Sequence, residues 1–250
     1  MKALITGATS GIGLDIAKYL DSLNYDLILV GRNKEKLESI ASSLKGEPKL
    51  VVLDLEDLKK VKELYLLIKN FNIDILVNNA GFGLFGEFVN SDIKTELSMI
   101  DVNIKAVHLL TKLFLKDMVK RNSGYILNVS SAAGFGPGPL MATYYATKSY
   151  VLNLTEAISY ELKEQNSKVV VSALCPGPVA TNFNKVAGVE FASKPLSSEY
   201  VAKYAIDNLL KGKKIIIPGF SIKLITFLRR LAPRNLILKI TYNFQRRKRI

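Results

Sequence analysis

At 250 residues and 48% hydrophobic, the chain can bury one substantial α/β core, and no repeat or low-complexity tract divides it. Its single cysteine, Cys175, excludes an intramolecular disulfide and fits a cytoplasmic setting. Residues 211–250 carry +12 of the formal +13 and contain no Asp or Glu, so residues 1–210 carry only +1 and offer no extended basic face to nucleic acid.

Met1 leads straight into a short apolar run at residues 2–6, the first strand, with no basic and apolar leader ahead of it; export is not expected. A glycine loop and a helix near residues 12–23 follow. Residues 26–30 read as the second strand, 33–44 as a polar helix, 50–53 as the third strand, 58–70 as a helix and 74–77 as the fourth strand. Then come a long helix at 98–121, a fifth strand at 125–129, a second long helix at 144–165 and a sixth strand at 168–174. Residues 178–195 form a lid, 198–210 a helix and 214–217 a final short strand. Short apolar runs alternating with longer helical patterns predict a Rossmann-like, doubly wound α/β sandwich of three layers with a mostly parallel seven-stranded sheet.

Gly7, Gly11 and Gly13 stand immediately after the first strand, alongside Thr9, Ser10 and Ile12. Glycines there permit a tight turn and let backbone N–H groups approach a pyrophosphate at a helix N-terminus. After the second strand, where such a fold reads the adenosine ribose, Gly31-Arg32 replaces an acidic residue. Arg32 can pair with a 2′-phosphate, so NADPH is preferred over NADH. Asp54, followed by Leu55 after strand three, faces either the adenine amino group or a helix cap. Asn79, Ala80 and Gly81 close strand four with small residues that pass beneath a cofactor. Pro176, Gly177, Val179 and Thr181 follow strand six, where the turn brings backbone near a nicotinamide. Cys175 reads as a small buried filler.

Tyr144 and Lys148 are four residues apart and share one helix face, with Ser131 thirteen residues before the tyrosine. Taken with Thr6–Gly13, Asn78–Gly81, Asn103 and Pro176–Thr181, this series resembles the short-chain dehydrogenase/reductase family, in its classical subgroup, over residues 1–218. The resemblance implies one catalytic and dinucleotide-binding domain with strand order 3-2-1-4-5-6-7; residues 219–250 depart from the family's compact end as a basic amphipathic extension. It implies that Tyr144 exchanges a proton with the carbonyl or alcohol oxygen, that Lys148 holds the nicotinamide ribose, and that Ser131 hydrogen-bonds the reacting oxygen. Asn103 would help to hold a water leading from Lys148 to solvent. The activity implied is reversible NADP(H)-dependent carbonyl reduction; the alternative is a nucleotide-binding regulatory or scaffold protein with little turnover.

Phe82, Leu84, Phe85, Phe135, Leu140, Met141, Phe183, Val186 and Phe191 suggest an apolar cavity for a lipophilic ketone, acyl or steroid-like molecule. No metal site is expected, because His108 is the one histidine and has no ligand cluster at metal spacing. The two long helices offer a homodimer surface. In the extension, Phe220, Leu224, Phe227, Leu228 and Leu231 recur at helical spacing, Pro233 breaks the run, and residues 236–244 suggest a further amphipathic helix. These C-terminal helices either cover the pocket or a partner subunit, the reading favoured here, or make peripheral contact with an anionic membrane.

Overall fold

The computed structural model describes residues 1–183, 187–188 and 195–247. The strands are β1 Lys2–Thr6, β2 Asp26–Gly31, β3 Lys49–Val52, β4 Ile75–Asn78, β5 Tyr125–Val129, β6 Val170–Leu174, β7 Val179–Ala180, β8 Leu196–Ser197 and β9 Ile215–Ile216. Seven of them form one sheet in the order β3-β2-β1-β4-β5-β6-β9, the order the family resemblance implies. Every neighbouring pair is parallel. The short β7–β8 pair stands apart and joins the two ends of the expected lid; the rest of that lid lies mostly outside the described residues.

Alternation along the strands feeds two cores. On β1, Ala3 and Ile5 point into one cluster with α1 (Gly11–Ser22), Leu37 of α2 (Lys34–Ala41) and α7 (Ser198–Leu210). Leu4 points into the other, with α3 (Leu58–Ile68), α5 (Val107–Lys120) and Leu162 of α6 (Ala142–Glu164). A strand covered on both faces has no polar side, which is why these runs are continuously apolar.

Local chemistry starts and stops the helices. Asn33 caps α2 through Lys36 N at 2.7 Å, and Asp57 caps α3 through Lys59 N and Lys60 N. Asn24, Asn72, Asn122 and Asn166 take left-handed backbone just beyond helical segments, with φ of 49° to 59°. Asparagine tolerates that conformation better than most residues.

The long helix expected at 98–121 begins earlier. Asp92 accepts a bond from Thr95 N at 2.9 Å and starts α4 (Ile93–Ile100), which passes through a π-helical turn at Asp101–Ala106 into α5. The cap lies upstream of the strongest apolar periodicity, so the spacing concealed it. Beyond β9, α8 (Phe220–Arg229) and α9 (Arg234–Arg246) flank the expected break at Pro233. Among the described residues no helix is long and apolar enough to cross a membrane.

Candidate active site

The glycine loop is held from beneath by β4. Thr6 Oγ1 donates to Val77 O at 3.2 Å and accepts from Asn79 N and Ala80 N at 3.0 and 3.2 Å. Asn79 Nδ2 donates to the carbonyls of Thr6 and Gly7, both at 3.1 Å. Gly7 has φ of 65°, and a Cβ there would fall 2.8 Å from the Cα of Ala80. At Gly13 a Cβ would fall 2.3 Å from Asn79 Nδ2. These glycines therefore serve close backbone approach as well as turn formation. Ser10, at the start of α1, makes no side-chain cap bond, and the first turn holds no acidic residue. The adjoining N–H groups and the helix dipole suit a phosphate. Thr181 lies against Gly11, where a Cβ would meet its methyl at 2.8 Å.

At the other end of the loop, a Cβ on Gly31 would lie 2.8 Å from the methyl of Thr9, so this glycine also makes room for its neighbour. Arg32 is largely exposed and lies 3.9 Å from Asp54 and 3.8 Å from Glu56. Asp54 accepts from Glu56 N at 3.1 Å, whereas Asp57 caps α3, which sets aside the capping alternative for Asp54. Leu55 turns its side chain into the core.

Beyond the ends of β4 and β5, the titratable groups converge. The Ser131 hydroxyl accepts from Ala133 N at 3.1 Å and lies near enough to the Tyr144 phenol to favour its ionised form. Burial pushes the Tyr144 phenol up to about 12, with the nearby Ser131 hydroxyl opposing it. Lys148 lies in the same enclosure, its Nζ 5.9 Å from the centre of the Tyr144 ring and donating to Val129 O at 2.9 Å. Burial lowers this ammonium to about 8. One acceptor leaves a three-donor ammonium with capacity for ligand hydroxyls, which fits a ribose. The neighbouring Ser130 is engaged elsewhere, donating to Lys148 O at 2.7 Å, and so belongs to the scaffold.

A family model described as short chain dehydrogenase matches residues 1–189. The chain belongs to the short-chain dehydrogenase family. An uncharacterized oxidoreductase of Staphylococcus epidermidis is 33% identical over 224 residues, covering 88% of this chain and 96% of that one. A very-long-chain 3-oxoacyl-CoA reductase of Anas platyrhynchos is 34% identical over 209 residues, covering 80% and 66%. Among solved structures, a short-chain dehydrogenase from Sphingobium yanoikuyae in complex with NADPH superposes with a TM-score of 0.84 at 26% identity, covering 94% of each chain. One from Burkholderia phymatum in complex with NAD gives 0.84 at 25% identity, covering 92% of each. The protein is thus an enzyme of an oxidoreductase family whose fold holds a nicotinamide cofactor.

In this short-chain dehydrogenase Asn103 sits fully buried in the π-helical turn. Its amide donates to Phe82 O and Thr147 Oγ1 at 2.9 and 3.1 Å and accepts from Phe82 N at 3.1 Å. The side-chain amide is therefore committed to protein partners, which fixes Asn103 in the turn. Gly81 leaves the space above: a Cβ there would lie 2.8 Å from Asn103 Oδ1 and 3.3 Å from Lys148 Nζ.

Of the expected apolar wall, Phe82, Leu84, Phe85, Met141 and Phe183 gather around Tyr144, with the Phe183 ring 5.3 Å from the Tyr144 ring. Phe135 instead packs beside Cys175, Ile215 and Ile217, behind the site. Val186 and Phe191 lie outside the described residues. Leu140, also expected in this wall, is buried and has a left-handed φ of 65°, an uncommon strain for a bulky residue, while its carbonyl accepts from Gly86 N at 2.8 Å. Cys175 is buried and its thiol is pushed up to about 12 by that burial, in line with a filler. His108 meets Tyr150 OH at 2.7 Å.

Along the remaining edge, Pro176 O accepts from Ala132 N at 2.8 Å, and Val179 is buried in the core beneath. Ile222 of α8 packs over Gly177, where a Cβ would lie 2.6 Å from its terminal methyl. Gln245 of α9 donates to the hydroxyl of Tyr145 at 2.6 Å. The roles of Thr6, Thr147 and Gln245 escape the motif reading. Thr6 was open to recognition as a strand-end hydroxyl beside the loop; Gln245 carries no local signal, being 100 residues from its partner.

Proposed function

We propose that this enzyme is an NADP(H)-dependent reductase that converts a lipophilic ketone, acyl or steroid-like carbonyl to its alcohol, reversibly. The observation carrying this reading is the shared enclosure of Tyr144 and Lys148, whose Nζ lies 5.9 Å from the Tyr144 ring, beside the Ser131 hydroxyl. With its phenol raised to about 12, Tyr144 keeps its proton at neutral pH and can donate it to a carbonyl oxygen. Ser131 then hydrogen-bonds the same oxygen as charge develops on it. Lys148 stabilises the phenolate left behind and presents its spare N–H donors to the cofactor ribose. When bound, the nicotinamide supplies or accepts the hydride. Asn103 acts through position, tying the π-helical turn to Phe82 and to α6.

Gly7, Thr9, Ser10, Gly11, Ile12 and Gly13 would receive the pyrophosphate side, and Thr181 with Pro176, Gly177 and Val179 the nicotinamide side. Asn79, Ala80 and Gly81 would form the floor, with Asp54 and Leu55 bordering the adenine. The aromatic and aliphatic cluster around Tyr144 supports a lipophilic substrate, as does the kinship with an oxoacyl-CoA reductase. We assign residues 1–218 to the catalytic domain, a cytoplasmic setting to the enzyme, and α5 with α6 to a homodimer face.

Arg32 underlies the cofactor preference. Its two carboxylate contacts are long and exposed, so releasing them for a 2′-phosphate costs little. Fluorescence titration is expected to give tighter binding of NADPH than NADH. Arg32→Ala is expected to cost NADPH about tenfold or more, the worth of a charged hydrogen bond, with a much smaller change for NADH. Preferential NADH binding by the unaltered enzyme would overturn the assignment. Turnover is expected on a panel that includes 3-oxoacyl thioesters and bulky ketones.

A further inference from the structure

Helices α8 and α9 are amphipathic in the reverse sense to the rest of the molecule. The buried residue of α8 is Thr226, and those of α9 are Thr241 and Gln245. Meanwhile Phe220 is 79% exposed, Phe227 59% and Leu231 72%, and Leu224, Leu228, Leu236 and Ile240 are also exposed. Full burial of such a side chain is worth about 1.5–3 kcal/mol, of which these partly exposed ones forgo a share, and an apolar face of this kind marks an interaction surface.

Lys223, Arg229, Arg230, Arg234, Lys239 and Arg246 share the same two helices and their connection, Arg247 follows at the C-cap, and residues 211–250 hold no acidic residue. None of these seven cations has a carboxylate partner among the described residues. A second copy of the chain placed over this face would bring two such positive surfaces together. A nucleic acid would meet the cations but leave the leucines and phenylalanines uncovered. An anionic lipid interface answers both, because the acyl boundary takes the apolar side chains while headgroup phosphates pair with Lys and Arg. A cavity of about 370 Å³ adds to this surface: Phe135, Ile215 and Ile217 line it beneath the cationic Lys213, Lys223 and Arg230.

We propose that α8 and α9 dock this enzyme in the plane of an anionic lipid surface, without spanning it. The pair reaches the candidate active site directly, through Gln245 on Tyr145, Ile222 over Gly177, and the Arg229 guanidinium, which lies 3.3 Å from where a Cβ on Gly136 would sit. Docking would set the loop between Ser131 and Tyr144 beside the lipid. The link to a lipophilic substrate rests on the function proposed above, whereas docking itself does not, so vesicle binding by Tyr144→Phe separates the two failures.

Sedimentation of the full chain with vesicles tests this. Vesicles rich in phosphatidylglycerol are expected to bind at least tenfold more protein than pure phosphatidylcholine, at low and at physiological salt. Phe227→Ser with Leu231→Ser, which leaves every charge in place, is expected to reduce that binding about tenfold or more. Arg230→Glu with Arg234→Glu is expected to reduce it by at least fivefold. Unchanged circular dichroism and melting would establish that the variants fold. Absence of anionic-lipid binding at both salts overturns the proposal. Binding that falls with the charge reversal but not with the serine pair also overturns it, since that is simple adsorption to a polyanion. So does a serine variant that sediments as a smaller species without losing lipid binding, which would assign the face to a second copy.

Discussion

Tyr144 and Lys148 show how burial sets the chemistry of single residues. The phenol is held near 12 and the ammonium near 8, both displaced chiefly by loss of water. Tyr144→Phe keeps the ring in its apolar cluster but removes the proton. Carbonyl reduction is expected to fall by about 10²–10⁴ in kcat/KM, with nucleotide affinity nearly intact. Steady-state kinetics with any substrate turned over by the parent enzyme checks this; undiminished turnover would exclude Tyr144 as the donor. Lys148 yields a prediction about stability. Its folded value of about 8 lies below its ordinary 10.5, so between those values the unfolded chain binds more protons than the folded one. The contribution of Lys148 to stability therefore rises as pH climbs through that window. Lys148→Met is expected to unfold at higher urea concentration than the parent at pH 7, with the gap narrowing by pH 9.5. A gap that stayed constant with pH would show that the ammonium is not destabilised by burial. Ser131 and Tyr144 were legible from spacing alone, but the full engagement of Asn103 was not, because Phe82 and Thr147 reach it through the fold.

The loop between β5 and α6 does two jobs among the elements. Its Ser131 end meets Tyr144, while its Gly136–Gly138 portion meets the C-terminal helices and the Tyr145 ring. A Cβ on Gly138 would fall 2.3–2.4 Å from three atoms of that ring, and Gln245 holds the ring's hydroxyl from the far side. Tyr145 cannot withdraw without disturbing α9 or the start of α6. Gly138→Ala is expected to cost about 1–3 kcal/mol in urea denaturation, as overpacking does, and to lower kcat/KM. Adding Tyr145→Ala should return part of that loss, so that the two changes are strongly non-additive; simple addition would place the cost elsewhere. The α4–α5 boundary teaches a related lesson. Asp92 is a readable cap, yet the π-helical turn that carries Asn103 depends on contacts with Phe82 and α6 that no local pattern encodes.

Charge and apolar exposure divide the whole molecule in two. Residues 1–210 are nearly neutral and build six of the seven sheet strands and both helical layers, while the +12 segment supplies the edge strand β9 and a cap that keeps polar groups inward. The sequence-based expectation is that the C-terminal helices cover the pocket or a partner subunit. The helices do lie along the pocket's edge, but most of their large apolar side chains face away from it. Gln245 takes the buried position, its Nε2 bound to Tyr145 and its Oε1 without a partner among the described residues. Helical periodicity identifies which residues share a face; it carries no information about which way that face turns.

The amino-acid order alone determined the alternation of strand and helix, the glycine loop and the spacing of Ser131, Tyr144 and Lys148, because each rests on local backbone preference or short-range periodicity. Tertiary structure decided the rest: the burial that moves two pKa values in opposite directions, the partners of Asn103, the pinning of Tyr145 by a residue 100 positions away, and the outward turn of α8 and α9. Those properties depend on desolvation and on contacts between segments distant in the chain, which exist only once the two cores have closed on the sheet.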